Sequence, residues 1–143
     1  MNTLPDRSEI SIKEKLKSAK RIAIIGLSSN SWRTSNHIGE YLVQNRFEII
    51  PINPNEEEVL GIFCFDSILD LPDDQQVDIV VIFRNKKYTA EMLREIAEWS
   101  RRTGQKPLIW TQLDVSTDEA KSIALNADLN YVENRCIMVE HRR

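Results

Sequence analysis

The segment best suited to bind a charged ligand is the polar loop of residues 26–35, which reads Gly-Leu-Ser-Ser-Asn-Ser-Trp-Arg-Thr-Ser. It follows the apolar run Ile22–Ile25 and precedes a helical pattern, so backbone N–H groups at the helix start can face an anion. Gly26 permits a tight turn, and Ser28, Arg33 and Ser35 add donors. The G-x-G-x-x-G fingerprint is incomplete, because Ser28 stands at the second glycine. We expect phosphate binding here rather than a plain connecting loop.

The end of the second predicted strand bears on the choice of nucleotide. Residues 50–55 read Ile-Pro-Ile-Asn-Pro-Asn, with no acid before Glu56. NAD-binding folds usually place an acid there, hydrogen-bonded to a ribose hydroxyl. Its absence disfavours NAD and is compatible with a phosphorylated ribose, as in NADP or coenzyme A. Asn53 either binds the ribose or a phosphate or only begins a turn with Pro54.

Three further side chains lie at strand ends. Arg84 follows the third main strand and predicts a charge-assisted contact to an anion, although Lys86 and Lys87 also fit a solvated basic loop. Phe83 is either an apolar wall of the site or a core residue. Gln112, after the fourth strand, is a candidate ligand contact.

A catalytic or metal-binding constellation is not visible in the sequence. His37 and His141 have no nucleophile at a recognisable spacing. The carboxylates of residues 56–58 form a run typical of a solvated face. Cys64 and Cys136 lie far apart in apolar surroundings, which predicts two reduced thiols rather than a disulfide. We therefore lean against catalysis and expect no metal.

Apolar runs alternate with helical patterns along the chain. Main strands are expected at Ile22–Ile25, Phe47–Ile52, Ile79–Phe83, Pro107–Trp110 and Leu129–Val132, with Ile62–Phe65 as a short extra strand or an extended loop. Capping boxes place helix starts at Ser11, with Glu14, and at Ser116, with Glu119; Gly104 is a plausible helix C-cap. The alternation predicts an α/β, Rossmann-like, doubly wound and mainly parallel five-stranded sheet, with helices on both faces in three layers.

Length and charge narrow the class of protein. The 143 residues predict one domain, and 19 basic against 22 acidic residues give a net charge of −3. This balance disfavours non-specific nucleic-acid binding. The longest strongly apolar run, residues 79–83, is too short to cross a bilayer, and residues 1–7 lack the apolar core of a secretory signal. We expect a cytoplasmic protein with a short N-terminal helical segment, residues 1–19, ahead of the Rossmann-like domain, residues 20–143.

Six motifs in register resemble those of the small stand-alone CoA-binding domain proteins, related to the CoA-binding domain of the succinyl-CoA synthetase α subunit. The resemblance runs from about residue 20 to residue 141. It rests on Gly26-Leu27-Ser28-Ser29-Asn30 with Arg33 and Ser35, Pro51-Ile52-Asn53-Pro54, Gly61 and Cys64 with residues 67–72, Val81-Ile82-Phe83-Arg84, Trp110-Thr111-Gln112-Leu113, and Asn134-Arg135-Cys136-Ile137 with Glu140-His141.

The resemblance implies a domain that holds coenzyme A or an acyl-CoA by its nucleotide end. By position, Ser28, Asn30, Arg33 and Ser35 would lie along the phosphates. Asn53 and Pro54 would lie near the adenosine, with Phe83 and Arg84 at the next strand end. The implied function is a non-catalytic binding module. An NADP(H)-dependent enzyme or redox sensor, and a scaffold that has lost its ligand, are the alternatives.

Two positions depart from the family's pattern. Asp114 and Asp128 stand where glycine is usual, and a positive φ is expected at both. The Asp114 carboxylate would repel phosphates if it pointed into the site and would be harmless if it pointed to solvent.

Overall fold

A five-stranded parallel sheet forms the centre of the molecule, in a computed structural model that describes residues 7–143. Its strands are β1 (Arg21–Ile25), β2 (Glu48–Ile52), β5 (Ile79–Ile82), β6 (Leu108–Thr111) and β7 (Tyr131–Val132). They lie in the order β2-β1-β5-β6-β7, and every neighbouring pair is parallel. The Rossmann-like α/β prediction is confirmed. The strands are apolar runs because both faces of a parallel sheet are covered.

Among residues 7–143, five helices cover the two faces of this sheet. They are α1 (Arg7–Ser18), α2 (Thr34–Gln44), α3 (Thr89–Thr103), α4 (Asp118–Asn126) and α5 (Ile137–Arg142). Buried side chains of α3 and α4 pack with Ala23, Val80 and Ile109 on one face. Those of α1, α2 and α5 pack with the alternate strand residues, such as Ile24 and Val81, on the other. The expected three layers therefore follow from the period of two along each strand.

Two predicted helix starts are wrong. Helix α1 begins at Arg7, so Ser11 lies inside it; once Ile12 and Leu16 anchor a helix, a further N-terminal turn adds at little cost. Helix α4 is capped by Thr117, whose side chain accepts a hydrogen bond from Ala120 N–H, while Ser116 instead bonds Tyr131 and Glu133. Gly104 is the left-handed C-cap of α3, with φ of 77°, as predicted.

The outer edge of β2 is closed by a short irregular segment. Residues 62–65 do not form one continuous strand. Strand β4 (Ile62–Phe63) pairs antiparallel with β3 (Glu58–Val59), whereas Phe65 forms a single parallel bridge with Ile52. Phe65 N–H donates to Pro51 O, and Asn53 N–H donates to Phe65 O. The expected extra strand is thus a two-residue hairpin arm followed by one bridging residue.

Within residues 7–143, no helix has the length and apolar character needed to cross a membrane.

Candidate ligand-binding cleft

A cleft of about 720 Å³ opens at the carboxyl ends of β1 and β5. The chain leaves β1 toward α2 on one face and leaves β5 toward α3 on the other, so this is the topological switch point where ligands of open α/β sheets bind. The cleft is lined by Gly26, Ser28, Trp32, Arg33, Thr34, Ser35, Asn53, Asn55, Glu56, Phe83, Arg84, Asn85 and Tyr88.

Gly26 lets the β1 end lie directly against the β5 end. Its φ is +89°, and a Cβ there would lie 2.6 Å from Phe83 O and 3.1 Å from Arg84 Cδ. Any larger residue would therefore meet both backbone strain and a main-chain clash. The glycine expected from the loop pattern is required by the close approach of two strand ends.

The loop after β1 is held by its own side chains. Ser28 N–H donates to Ser35 Oγ at 3.1 Å, and Asn36 Nδ2 donates to Ser28 O at 2.8 Å. Ser28 Oγ accepts from Asn30 N–H, and Asn30 Oδ1 accepts from Trp32 N–H. The serines and asparagines therefore fix the loop's shape, which sets the direction of the helix that follows.

The N-terminus of α2 faces the cleft without a side-chain cap. Its N-cap residue, Arg33, makes no capping hydrogen bond, and its first turn holds no acid. Within the described chain, no hydrogen bond from the N–H groups of Thr34 or Ser35 is found. Uncapped N–H groups and the positive end of the helix dipole both favour an anion at this point.

Two arginines add positive charge to the same cleft. The Arg84 guanidinium carbon lies 5.0 Å from the centroid of the Tyr88 ring, and Lys87 Nζ lies 5.1 Å from it. Neither Arg33 nor Arg84 forms an ion pair with any carboxylate of residues 7–143. The cleft thus combines two uncompensated guanidinium groups with an uncapped helix start.

Asn53 joins the β2 end to the loop after β1. Its Nδ2 donates to Leu27 O at 3.1 Å, and its Oδ1 accepts from Asn55 N–H, which forms a turn. Asn53 therefore makes the expected turn, and it also lines the cleft. The neighbouring Pro54 lines a second cavity of about 280 Å³, which shares Arg84 and Tyr88 with the cleft.

Glu56 corrects the expectation of a solvated acidic run. Its Oε2 accepts from Ser29 N–H at 2.7 Å, and the Ser29 hydroxyl lies 2.8 Å from Oε1. The Asn53–Asn55 turn folds the chain back, so this carboxylate lines the cleft. The sequence shows no acid directly after β2, yet this turn brings the Glu56 carboxylate to the loop after β1.

Several predicted site residues lie outside the cleft wall. Leu27 is fully buried in the core, and the Gln112 side chain is buried with its Oε1 accepting from Ile137 N–H at 2.9 Å. The Asp114 carboxylate points to solvent, 3.4 Å from Lys86 Nζ, and does not line the cleft. Its φ of 57° and the 61° of Asp128 confirm the expected left-handed backbone.

Cys64 packs behind the Asn53 turn and does not line the cleft. It is buried, and its Sγ lies 3.5 Å from Asn53 O. Burial raises the pKa of the Cys64 thiol, with smaller opposing and reinforcing effects from the Asn53 contact and from nearby carboxylates. Both cysteines are free thiols, as predicted.

Sequence reasoning missed several cleft residues. Tyr88 and Asn85 follow Arg84 on a short 3₁₀ turn (Lys86–Tyr88), and an aromatic residue four positions beyond a strand-end arginine is a usable signal. Glu56 and Asn55 reach the cleft only through the Asn53 turn. Trp32, with 90 % of its surface exposed at the cleft rim, gave no periodic signal.

Comparison with known proteins gives matches over the whole chain. Uncharacterized protein YneT of Bacillus subtilis is 34% identical over 134 residues, which is 94% of each chain. A hypothetical protein from Pyrococcus horikoshii, with a solved structure, is 33% identical, with a TM-score of 0.86 over 100% of this chain and 98% of that one.

A partial match links the chain to a larger enzyme. The ADP-forming acetate–CoA ligase II of Archaeoglobus fulgidus is 37% identical over 81 residues, which is 55% of this chain and 12% of the ligase. The family described as CoA binding domain matches residues 20–142, nearly the whole of the fold that carries the cleft. The chain therefore belongs to the CoA binding domain family.

Proposed function

We propose that the cleft binds coenzyme A or an acyl-CoA by its nucleotide end, and that the chain acts as a binding module without catalysis of its own. The observation that carries the proposal is the pair of guanidinium groups, Arg33 and Arg84, that line the cleft without a carboxylate partner among residues 7–143. Two guanidinium groups at one switch point can each form a charge-assisted hydrogen bond to an anion, and a diphosphate matches their charge.

The residues present fit such a ligand. The uncapped start of α2 and Arg33 would hold the diphosphate, and Arg84 would lie on the opposite wall. Gly26 lines the same wall, and its lack of a side chain lets the β1 end lie against Phe83, which brings Arg84 into the cleft. The second cavity lies beside Arg84. Its lining combines apolar residues such as Ile52 and Met92 with the carboxylates of Asp66, Glu91 and Glu95, so it suits an uncharged purine ring better than a phosphate.

The same lining supports a role without catalysis. Histidine and cysteine are absent from the described lining of the cleft, and its only carboxylate, Glu56, is bonded to Ser29. No group of three or more His, Cys, Asp or Glu residues in the described chain could hold a metal ion. Most of the lining consists of hydrogen-bond donors and cations, which bind and orient an anion.

The proposal is tested by native mass spectrometry of freshly purified protein, followed by calorimetric titration with CoA, acetyl-CoA, NADP and NAD. We expect a retained CoA-type ligand or saturable binding of CoA. Tight binding of NAD or NADP with none of CoA would refute the proposal, and no binding of any nucleotide would favour the scaffold alternative.

A further inference from the structure

Trp32 is the most exposed large apolar side chain among residues 7–143, and it lies at the rim of the cleft. It exposes 90 % of its surface, whereas the other two tryptophans, Trp99 and Trp110, are fully buried. Its backbone is held in place, because its N–H donates to Asn30 Oδ1 at 2.9 Å. Its indole N–H has no hydrogen-bond partner in the described chain. The side chain is therefore fixed at its base and open to contact over almost all of its surface.

The chemistry of the indole ring indicates what kind of group could cover it. The ring is a large apolar surface with one hydrogen-bond donor at its edge, so it suits a segment that carries both hydrocarbon groups and carbonyl oxygens. Its faces are electron-rich, and they do not favour contact with a phosphate. The matching ligand segment is thus uncharged, partly aliphatic and rich in amides.

The neighbours of Trp32 determine which part of CoA it meets. The next residue, Arg33, is the N-cap of α2, where the diphosphate is proposed to lie. Trp32 lines the cleft but not the second cavity, which suits the purine ring. The ribose of CoA carries a further phosphate, so the uncharged part of the molecule that extends from the diphosphate is the pantetheine arm.

We propose that Trp32 packs on the pantetheine arm of CoA or an acyl-CoA, where that arm leaves the diphosphate. The inference rests on the proposed function, because it assumes a diphosphate at the start of α2. The arm presents a pair of methyl groups and short methylene chains to the ring, and its amide carbonyls can accept from the indole N–H. Trp32 would then distinguish CoA from nucleotides that share its phosphates but lack the arm.

The first test is calorimetric titration with CoA and with adenosine 3′-phosphate 5′-diphosphate, which is the nucleotide end of CoA without its pantetheine arm. The natural protein is compared with Trp32→Ala, Trp32→Phe and Phe63→Ala. Phenylalanine keeps an aromatic ring and removes the indole N–H. Phe63 is the matched control, because its aromatic side chain is 66 % exposed but does not line the cleft. Thermal unfolding of each variant checks that the fold is intact.

We expect Trp32→Ala to weaken CoA by about five- to twentyfold and the nucleotide end alone by less than about twofold. Trp32→Phe should recover most of the affinity for CoA, and Phe63→Ala should change the affinity for either ligand by less than about twofold. Equal weakening of both ligands in Trp32→Ala, or an unchanged affinity for CoA, would overturn the inference while leaving the proposed function standing. Failure of the natural protein to bind either ligand would refute the proposed function itself.

Tryptophan fluorescence of the natural protein gives a second readout. Because Trp99 and Trp110 are fully buried, a soluble quencher such as acrylamide acts mainly on Trp32. CoA should protect Trp32 from acrylamide and shift its emission to shorter wavelength, whereas the nucleotide end alone should do neither. Equal protection by both ligands would show that Trp32 contacts the nucleotide end, and an unprotected Trp32 in the CoA complex would show no contact at all; either result would overturn the inference.

Discussion

Arg33 and Arg84 are the side chains on which ligand affinity is expected to depend most. Arg33→Ala or Arg84→Ala should weaken CoA by roughly 1.5–3 kcal/mol, the usual contribution of a hydrogen bond to a charged group. Thermal stability should change little, because neither side chain forms an ion pair with a described carboxylate. Calorimetry measures the affinities, and Arg101→Ala, on the exposed end of α3, is the matched control. Unchanged affinity in both variants would make these arginines ordinary solvated surface.

Two features of the structure require glycine at position 26: its positive φ and the nearby Phe83 main chain. Gly26→Ala should lower the free energy of unfolding by at least about 2 kcal/mol, from left-handed strain together with the clash at Phe83 O. Gly61→Ala is the control, because Gly61 has φ of +76° but no atom within 4 Å of an added Cβ. Denaturant unfolding compares the two variants. Equal losses would show that the approach to Phe83 contributes nothing.

Asp114 stands where the family usually has glycine, and we expect its side chain to have no effect on CoA affinity. Its carboxylate lies beside Lys86, with both side chains exposed, so it does not repel a ligand in the cleft. Asp114→Gly should therefore leave CoA affinity unchanged and alter stability by only about 1 kcal/mol in either direction, as glycine relieves strain but frees the unfolded chain. A clear, salt-sensitive gain in CoA affinity would show that the carboxylate does obstruct the site.

At the scale of elements, the Gln112 side chain connects the end of β6 to the start of α5. Its buried Oε1 accepts from the first N–H of α5 at Ile137, and the adjoining Thr111 Oγ1 donates to Val132 O. Gln112→Ala should leave that N–H without a partner and destabilise the fold by about 1–3 kcal/mol. CoA affinity should be unchanged, because the side chain does not line the cleft.

Chemical denaturation of Gln112→Ala, with Gln76→Ala at an exposed position as control, measures this effect. A stability loss accompanied by weaker CoA binding would return Gln112 to the ligand site, as the sequence motif implies. An unchanged stability would show that water replaces the amide.

The elements themselves follow from the sequence more fully than the site does. Continuous apolar runs such as Ile79–Ile82 identify the buried strands, since only a sheet covered on both faces needs them. The start of α4 was misplaced by one residue because Ser116 and Thr117 are both good caps, and side-chain contacts with Tyr131 and Glu133 determine which one is used.

Cleft residues could be predicted where they lie at a strand end or in the loop that leads directly from it into a helix. Gly26, Arg33 and Arg84 satisfy that condition and line the cleft. Glu56 and Gln112 do not, because one arrives through a turn and the other is used internally. Such outcomes depend on three-dimensional contacts that spacing along the chain does not encode.

At the scale of the whole molecule, ligand binding is linked to unfolding. A ligand that binds only the folded state at a concentration a hundredfold above its Kd stabilises by about 2.7 kcal/mol. CoA should therefore raise the Tm, and NAD should leave it unchanged. Differential scanning fluorimetry over a range of ligand concentrations measures both. A rise with NAD and none with CoA would contradict the expectation.

The two edge strands of the sheet, β2 and β7, limit how copies of this molecule can associate. Because Pro51 O faces the outer edge of β2, its nitrogen faces the same edge, and proline supplies no donor there. Phe65 already bridges this edge, and the opposite edge strand, β7, has only two residues. Neither margin offers a long row of unpaired groups for an incoming strand. At high concentration the folded protein should therefore resist sheet-to-sheet polymerisation, and Pro51→Val, by restoring a donor at this margin, would weaken that protection.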